Sequence, residues 1–110
     1  MKLLEKAERI RIYIGEDDKY KGIPLAEAIV KEARKLGLAG ATVFRGLIGF
    51  GANSFIHTSK ILRLSEDLPV VVEIVDHPDQ ISEMLEILDT MVPEGMVTRE
   101  PVDVIAYRHS

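Results

Sequence analysis

The sequence predicts one α+β domain of the split β-α-β kind: an antiparallel four-stranded sheet with two helices on one face. Three observations predict it. Two segments, opening at Pro24 and Pro78, carry apolar residues at helical spacing. Strand-like runs stand before and after each of them. The resulting order is β-α-β-β-α-β, and its packing solution places both helices on the same side of the sheet.

The elements follow in order. From Arg9 to Ile14 the chain alternates, with Ile10, Ile12 and Ile14 on one side and Arg11 and Tyr13 on the other, which reads as a half-buried strand. Gly15 to Gly22 is polar and bounded by glycines, so it is a loop. Pro24 suits a first helical turn. Leu25, Ala28, Ile29, Ala33 and Leu36 then form an apolar stripe, and Lys31, Glu32, Arg34 and Lys35 cover the opposite face. Gly37 is the expected stop, with Arg34 and Lys35 near the negative end of the helix dipole. Ala41 to Arg45 is rich in β-formers and reads as the second strand. Ile56 to Leu64 has some strand character, and Ser65 to Pro69 reads as a turn. Val70 to Val75 is a strand whose Val71, Val72 and Ile74 suggest burial on both faces, broken by Glu73. Pro78 and Asp79 open the second helix, which buries Ile81, Met84, Leu85, Leu88 and Met91 and ends at Pro93-Glu94-Gly95. Val102 to Tyr107 alternates again and is read as the last strand, with Met96 to Arg99 offering a shorter strand ahead of it. Tyr13, Ile105 and Tyr107 fall on outward registers, and a sheet face of that kind predicts self-association.

Composition narrows the function. The 110 residues are 46% hydrophobic and 29% charged, a globular balance, and form a single domain over 1–110. The net charge of -4, with both signs interspersed, argues against a nucleic-acid or anionic-membrane binder. There is no cysteine, which excludes disulfides, thiolate nucleophiles and cysteine metal sites. Met1 to Ile10 holds no apolar run of signal-peptide length, and no stretch approaches the roughly 20 apolar residues that span a bilayer. The expectation is a cytoplasmic protein without membrane insertion. His57, His77 and His109 lie far apart and make no metal signature. Ser54, Thr58 and Ser59 lie near His57, but no orienting acid stands at suitable spacing, so no enzyme is expected.

The chemical interest concentrates in Gly46-Leu47-Ile48-Gly49-Phe50-Gly51, three glycines in six positions. It is not a dinucleotide fingerprint, because no helix follows, and not a P-loop, because the Lys-Ser/Thr pair is missing. Glycines do allow positive φ and close approach of a ligand, and N–H groups in such turns can form an anion-binding concavity. Arg45, His57, Thr58, Ser59 and Lys60 flank the loop as candidate phosphate donors, with a flexible or hairpin-like loop without a ligand as the alternative, and Phe50 could stack on a base or anchor the loop in its own subunit. Glu16, Asp17 and Asp18 form an acidic turn; Glu16 and Asp17 could meet Mg²⁺ beside a nucleotide, or the turn could be merely solvated.

Several runs together carry a family resemblance: Ile12 to Asp18, Gly22 with Pro24-Leu25, Leu38 to Val43 with Arg45-Gly46, Gly49-Phe50-Gly51, Ile56-His57-Thr58, and Ser65 to Asp76. Over about Arg9 to Tyr107 the chain resembles a family of small prokaryotic PII-like proteins of unassigned function. The resemblance implies a ferredoxin-like plait and a homotrimer. It also implies an adenine nucleotide of the ADP, ATP or AMP type, with or without Mg²⁺, in clefts between subunits. By position, Gly46 to Lys60 corresponds to the loop that PII proteins dock on a transporter, enzyme or regulator, and Pro93 to Thr98 to the loop that wraps the phosphates. The second of these has one glycine, Gly95, and no lysine, so phosphate partners must differ; Arg45, Lys60, Arg99 and Arg108 are the candidates. No tyrosine stands between Gly46 and Lys60, so uridylylation there is not expected. The rival reading is a non-catalytic protein-interaction module without a small-molecule ligand.

Overall fold

The computed structural model describes residues 6–50, 57–58 and 68–108. In chain order the elements are β1 (Ala7–Gly15), β2 (Lys19–Tyr20), β3 (Ile23–Pro24), α1 (Leu25–Lys35), β4 (Ala41–Arg45), β5 (Ile48–Gly49), β6 (His57–Thr58), β7 (Pro69–Asp76), α2 (Pro78–Met91) and β8 (Met96–Val102). Four of them form one sheet in the order β4-β7-β1-β8, antiparallel throughout. Both helices bury their stripes on the same side of it, which is the ferredoxin-like plait.

The core face follows from alternation. Ile10, Ile12 and Ile14 of β1 meet Val70, Val72 and Ile74 of β7, and Leu25, Ala28, Ile29 and Ala33 of α1 cover them beside Ile81, Met84, Leu88 and Met91 of α2. Each large side chain so buried contributes about 1.5–3 kcal/mol. Leu36 and Leu85, read as core from spacing, are half-buried at the margin. Gly37 ends α1 as a Schellman turn at φ 74°: Leu38 N–H donates to Ala33 O at 3.1 Å and Gly37 N–H to Arg34 O at 3.0 Å. The polar loop after β1 folds into a small hairpin, β2 with β3, whose tip Lys21-Gly22 takes φ 50° and 86°, as a tight primed turn requires.

Two features differ from expectation. The last sheet strand is Met96–Val102, and residues 103–108 pair with no strand. Val102–Tyr107 carries the alternation, but the pairing with β1 runs from Met96 opposite Tyr13 to Val102 opposite Ala7, the first residue of β1. Pro101 is tolerated because β8 is an edge strand, where a missing N–H costs no ladder bond. Residues past Val102 instead return toward β4, and Tyr107 Oη–H donates to Ala39 O at 2.8 Å. Second, β7 is buried on one face only: Val70, Val72, Ile74 and Asp76 are inside, while Val71, Glu73 and Val75 are half-buried on the other side.

That other face is ordered in rows. Phe44, Val71, Tyr13 and Met96 lie opposite one another across all four strands, and Phe44 and Met96 are 50% and 56% exposed. The next row is Thr42, Glu73, Arg11 and Thr98, and the next contains Val75, Arg9 and Glu100. Arg11 pairs with Glu73 at 3.0 Å and Glu100 at 3.4 Å, and Arg9 with Glu100 at 2.8 Å. The Glu73 hydrogen bond raises the Arg11 pKa above its ordinary value, and the Arg9 hydrogen bond lowers that of Glu100. Among the described residues, Arg9 Nε is buried without an acceptor.

Candidate functional site at the loop end of the sheet

The antiparallel registers gather four strand ends. Gly15 faces Pro69, Arg45 faces Val70 and Tyr13 faces Met96, so the exits of β1 and β4 and the starts of β7 and β8 share one end of the sheet. Glu16, Arg45, Gly46 and Gly95, which sequence placed in separate motifs, meet at this end.

Each is held by local chemistry. Asp18 N–H donates to Gly15 O at 3.2 Å, a β-turn closing the end of β1, and Asp18 Oδ2 reinforces it by accepting the Gly15 N–H at 2.9 Å. Asp18 O in turn accepts the N–H of Leu25, the first residue of α1, at 2.8 Å. Glu16 N–H donates to Leu68 O at 2.8 Å, and its carboxylate forms an ion pair with the Arg45 guanidinium. Beyond Arg45, Gly46 N–H donates to Pro69 O at 2.7 Å.

The glycines have packing reasons. A Cβ on Gly46 would lie 2.7 Å from Pro69 Cγ, and one on Gly49 would lie 3.1 Å from it, so both residues let the chain run against that ring. Gly95 adopts φ 142°, and a Cβ there would stand 2.6 Å from Tyr13 O and 3.2 Å from Ile14 Cγ2. The Gly46 N–H, a donor that a phosphate could use, is engaged by Pro69 O. Pro69 and Leu68 are therefore anchors that sequence reasoning passed over; the only signal was a proline directly before an apolar strand.

The loop itself begins as a hairpin. Ile48 pairs with Thr58 and Gly49 with His57, antiparallel. Leu47, Ile48 and Phe50 are 73%, 62% and 71% exposed. Phe50 does not pack into its own subunit. Gly51 and Lys60 lie outside the described residues, as does most of the strand expected over Ile56 to Leu64.

Two candidates stand elsewhere. Arg99 faces Ile10 in β8 and binds Glu8 at 2.5 Å, Pro78 O at 3.3 Å and Ser82 Oγ at 2.9 Å near the start of α2. Ile10 is five residues from Gly15, which at strand rise is about 17 Å. Arg108 follows Tyr107, whose hydroxyl reaches Ala39 before the start of β4. Neither joins Arg45 within one subunit. The donor set for Mg²⁺ does not fit either: the Glu16 carboxylate is engaged by Arg45, that of Asp18 by Gly15, and no group of three or more candidate ligands gathers among the described residues. No helix among them is long and apolar enough to cross a membrane.

Comparison with known proteins places this geometry. A UPF0166 protein of Aquifex aeolicus (strain VF5) is 38% identical over 100 residues, which span 91% of this chain and 94% of that relative. Among solved structures, CPII from Thiomonas intermedia K12, a nitrogen regulatory PII-like protein bound to ADP, AMP and bicarbonate, matches with TM-score 0.65 at 14% identity over 90% of this chain and 88% of CPII. CutA1 of Ehrlichia chaffeensis, a divalent ion tolerance protein, matches with TM-score 0.59 at 9% identity over 94% and 86%. At such identities the likeness shows the fold alone, and one fold hosts many functions. Residues 7–104 match the DUF190 family, described as "Uncharacterized ACR", and the chain belongs to that family, also called UPF0166, of small prokaryotic proteins with a PII-like fold.

Proposed function

We propose that the protein is a non-catalytic PII-like regulator: a homotrimer that binds an adenine nucleotide of the ADP, ATP or AMP type in clefts between subunits and signals through the loop over 46–60. One observation carries the reading. Arg45, Gly46 and Gly49 at the exit of one edge strand, and Gly95 before the other, lie at the same end of a PII-like sheet, and Phe50 is exposed on the segment that leaves Arg45, which supports a cation and a stacking ring beside a responsive loop. CPII, with the same fold, is seen with ADP and AMP. In this reading Arg45 and Lys60 meet phosphate, Gly51, His57 and Thr58 line the loop side, and Phe50 stacks on adenine. Arg99 stands in mid-strand and Arg108 follows Tyr107 beside Ala39, so in this reading both serve a cleft from a neighbouring subunit. Any Mg²⁺ would arrive on the phosphates, since the protein offers no ligand set of its own among the described residues. The exposed Phe44–Val71–Tyr13–Met96 row and the unaccepted Arg9 Nε favour the outer sheet face as the subunit contact. The protein is expected in the cytoplasm with a protein target as its output.

Micromolar sensing needs about 8 kcal/mol, within reach of a stacked base and a few charge-assisted hydrogen bonds. The test is calorimetric titration with ATP, ADP and AMP beside sedimentation equilibrium. Micromolar binding at one site per chain in a three-chain particle supports the reading, and flat titrations overturn the nucleotide half of it. Leu47, Ile48 and Phe50, all exposed on one short hairpin, favour a second reading, a loop that captures a protein partner without a small ligand. Partner capture that no nucleotide alters would select it.

A further inference from the structure

Glu16 and Arg45 belong to different strand exits, yet their side chains join across the start of β7, the strand that lies between β1 and β4. The backbone on both sides is tied to the same two residues: Glu16 N–H to Leu68 O at 2.8 Å and Gly46 N–H to Pro69 O at 2.7 Å. One small unit thus fastens the exit from β4 at Gly46, the entry to β7 at Leu68-Pro69, and the turn that leads into α1 through Asp18 O and Leu25 N–H. The Arg45 side chain is 61% exposed and that of Glu16 31%, so the guanidinium faces solvent while the carboxylate is the more sheltered partner.

A guanidinium fork accepts either a carboxylate or a phosphate, and a polyphosphate brings more charge and more acceptor oxygens. We propose that Glu16 is a built-in competitor for Arg45: its carboxylate holds the fork in the ligand-free protein, and the phosphate of a bound ligand displaces it. This rests on the nucleotide reading above and adds its regulation. The exchange conserves a charge-assisted pair for Arg45, so its free-energy cost is small. What changes is mechanical, because the Glu16 side chain no longer ties the β1–α1 turn to Arg45 and the Glu16 N–H bond to Leu68 O holds it alone. Phosphate binding and release of that turn are then one event, and by linkage each favours the other.

The test is titration with ATP, ADP and inorganic tripolyphosphate of the wild type, Glu16→Gln, Arg45→Gln and the doubly substituted protein, with hydrogen exchange at the Glu16 and Gly46 amides. An exposed pair is worth at most about 1 kcal/mol, so removing the competitor should tighten binding by up to about fivefold. The expected set is tighter binding for Glu16→Gln, loss for Arg45→Gln, and a double variant no better than Arg45→Gln, with tripolyphosphate behaving like ATP. In the wild type, ligand should raise exchange at the Glu16 amide. If the wild type binds nucleotide and Glu16→Gln binds equally or more weakly, the competitor is refuted and the nucleotide reading stands. If neither protein binds any of the three, the nucleotide reading falls and the competitor with it. Glu16→Ser also removes the carboxylate and should tighten binding likewise; equal or weaker binding by the folded variant refutes the proposal even if Glu16→Gln folds poorly.

Discussion

Gly95→Ala separates a glycine kept for a ligand from one kept for packing. Gly95 sits at φ 142°, where a side chain is strained, and its Cβ would stand 2.6 Å from the carbonyl oxygen of Tyr13. The strain alone costs about 1–3 kcal/mol. The clash adds to it, because Tyr13 lies inside β1 with partners on both sides, Val71 and Met96, and cannot retreat freely. A total near 3 kcal/mol, at about 4 °C per kcal/mol for a domain of this size, lowers the melting temperature by about 12 °C. The assay is thermal unfolding followed by circular dichroism without ligand, with Gly40→Ala as control. Gly40 has nothing within 4 Å of a new Cβ and no positive φ, so its variant should stay within about 0.5 kcal/mol of wild type. If Gly95→Ala melts within 2 °C of wild type (roughly 0.5 kcal/mol on the same scale), the packing argument is refuted.

Asp76→Ala should cost about 2 kcal/mol by urea unfolding, because Asp76 is buried and accepts the N–H groups of Ala39 at 2.8 Å and His77 at 2.6 Å, leaving Ala39 N–H without that acceptor. Ile12→Ala, at a side chain with no exposure between both helices and β7, should cost about 3 kcal/mol in the same assay. For Glu100 the sign follows from its lowered folded-state pKa: the stabilisation is present above the ordinary value of 4.5 and is lost as pH falls through the lower folded value. The melting difference between wild type and Glu100→Gln should therefore hold from pH 7 to 5 and shrink below 4.5, and a difference constant down to pH 3 would contradict the pairing with Arg9.

Short-range signals were legible. The stripes Leu25–Ala28–Ile29–Ala33 and Ile81–Met84–Leu88–Met91 repeat at the helical period, and the helix period alone dictates which face is buried. Gly37 as a stop needs only its own φ and two neighbours. What was not legible depends on partners far along the chain. Val102–Tyr107 alternates and Met96–Val102 does not, yet the register with β1 selects Met96–Val102. Gly46 and Gly49 could be seen to be unusual, but their cause is the Pro69 ring, brought up by strand pairing. The ion pair of Arg99 with Glu8, 91 residues away, likewise depends on the pairing of β8 with β1 and has no local signal. Asp76 was one carboxylate among 18 acidic residues, and nothing local marked it as the buried one.

The measurement that bears most directly on the nucleotide-sensor account is a thermal-shift series with ATP, ADP, AMP and cyclic AMP, each with and without Mg²⁺. Ligand at about 100 times its dissociation constant adds roughly 2.7 kcal/mol, so the account predicts a rise of about 10 °C that selects among nucleotides and saturates. A transition unmoved by all four, with a flat direct titration beside it, would contradict the account and leave the exposed Leu47–Ile48–Phe50 hairpin as a partner-binding element alone.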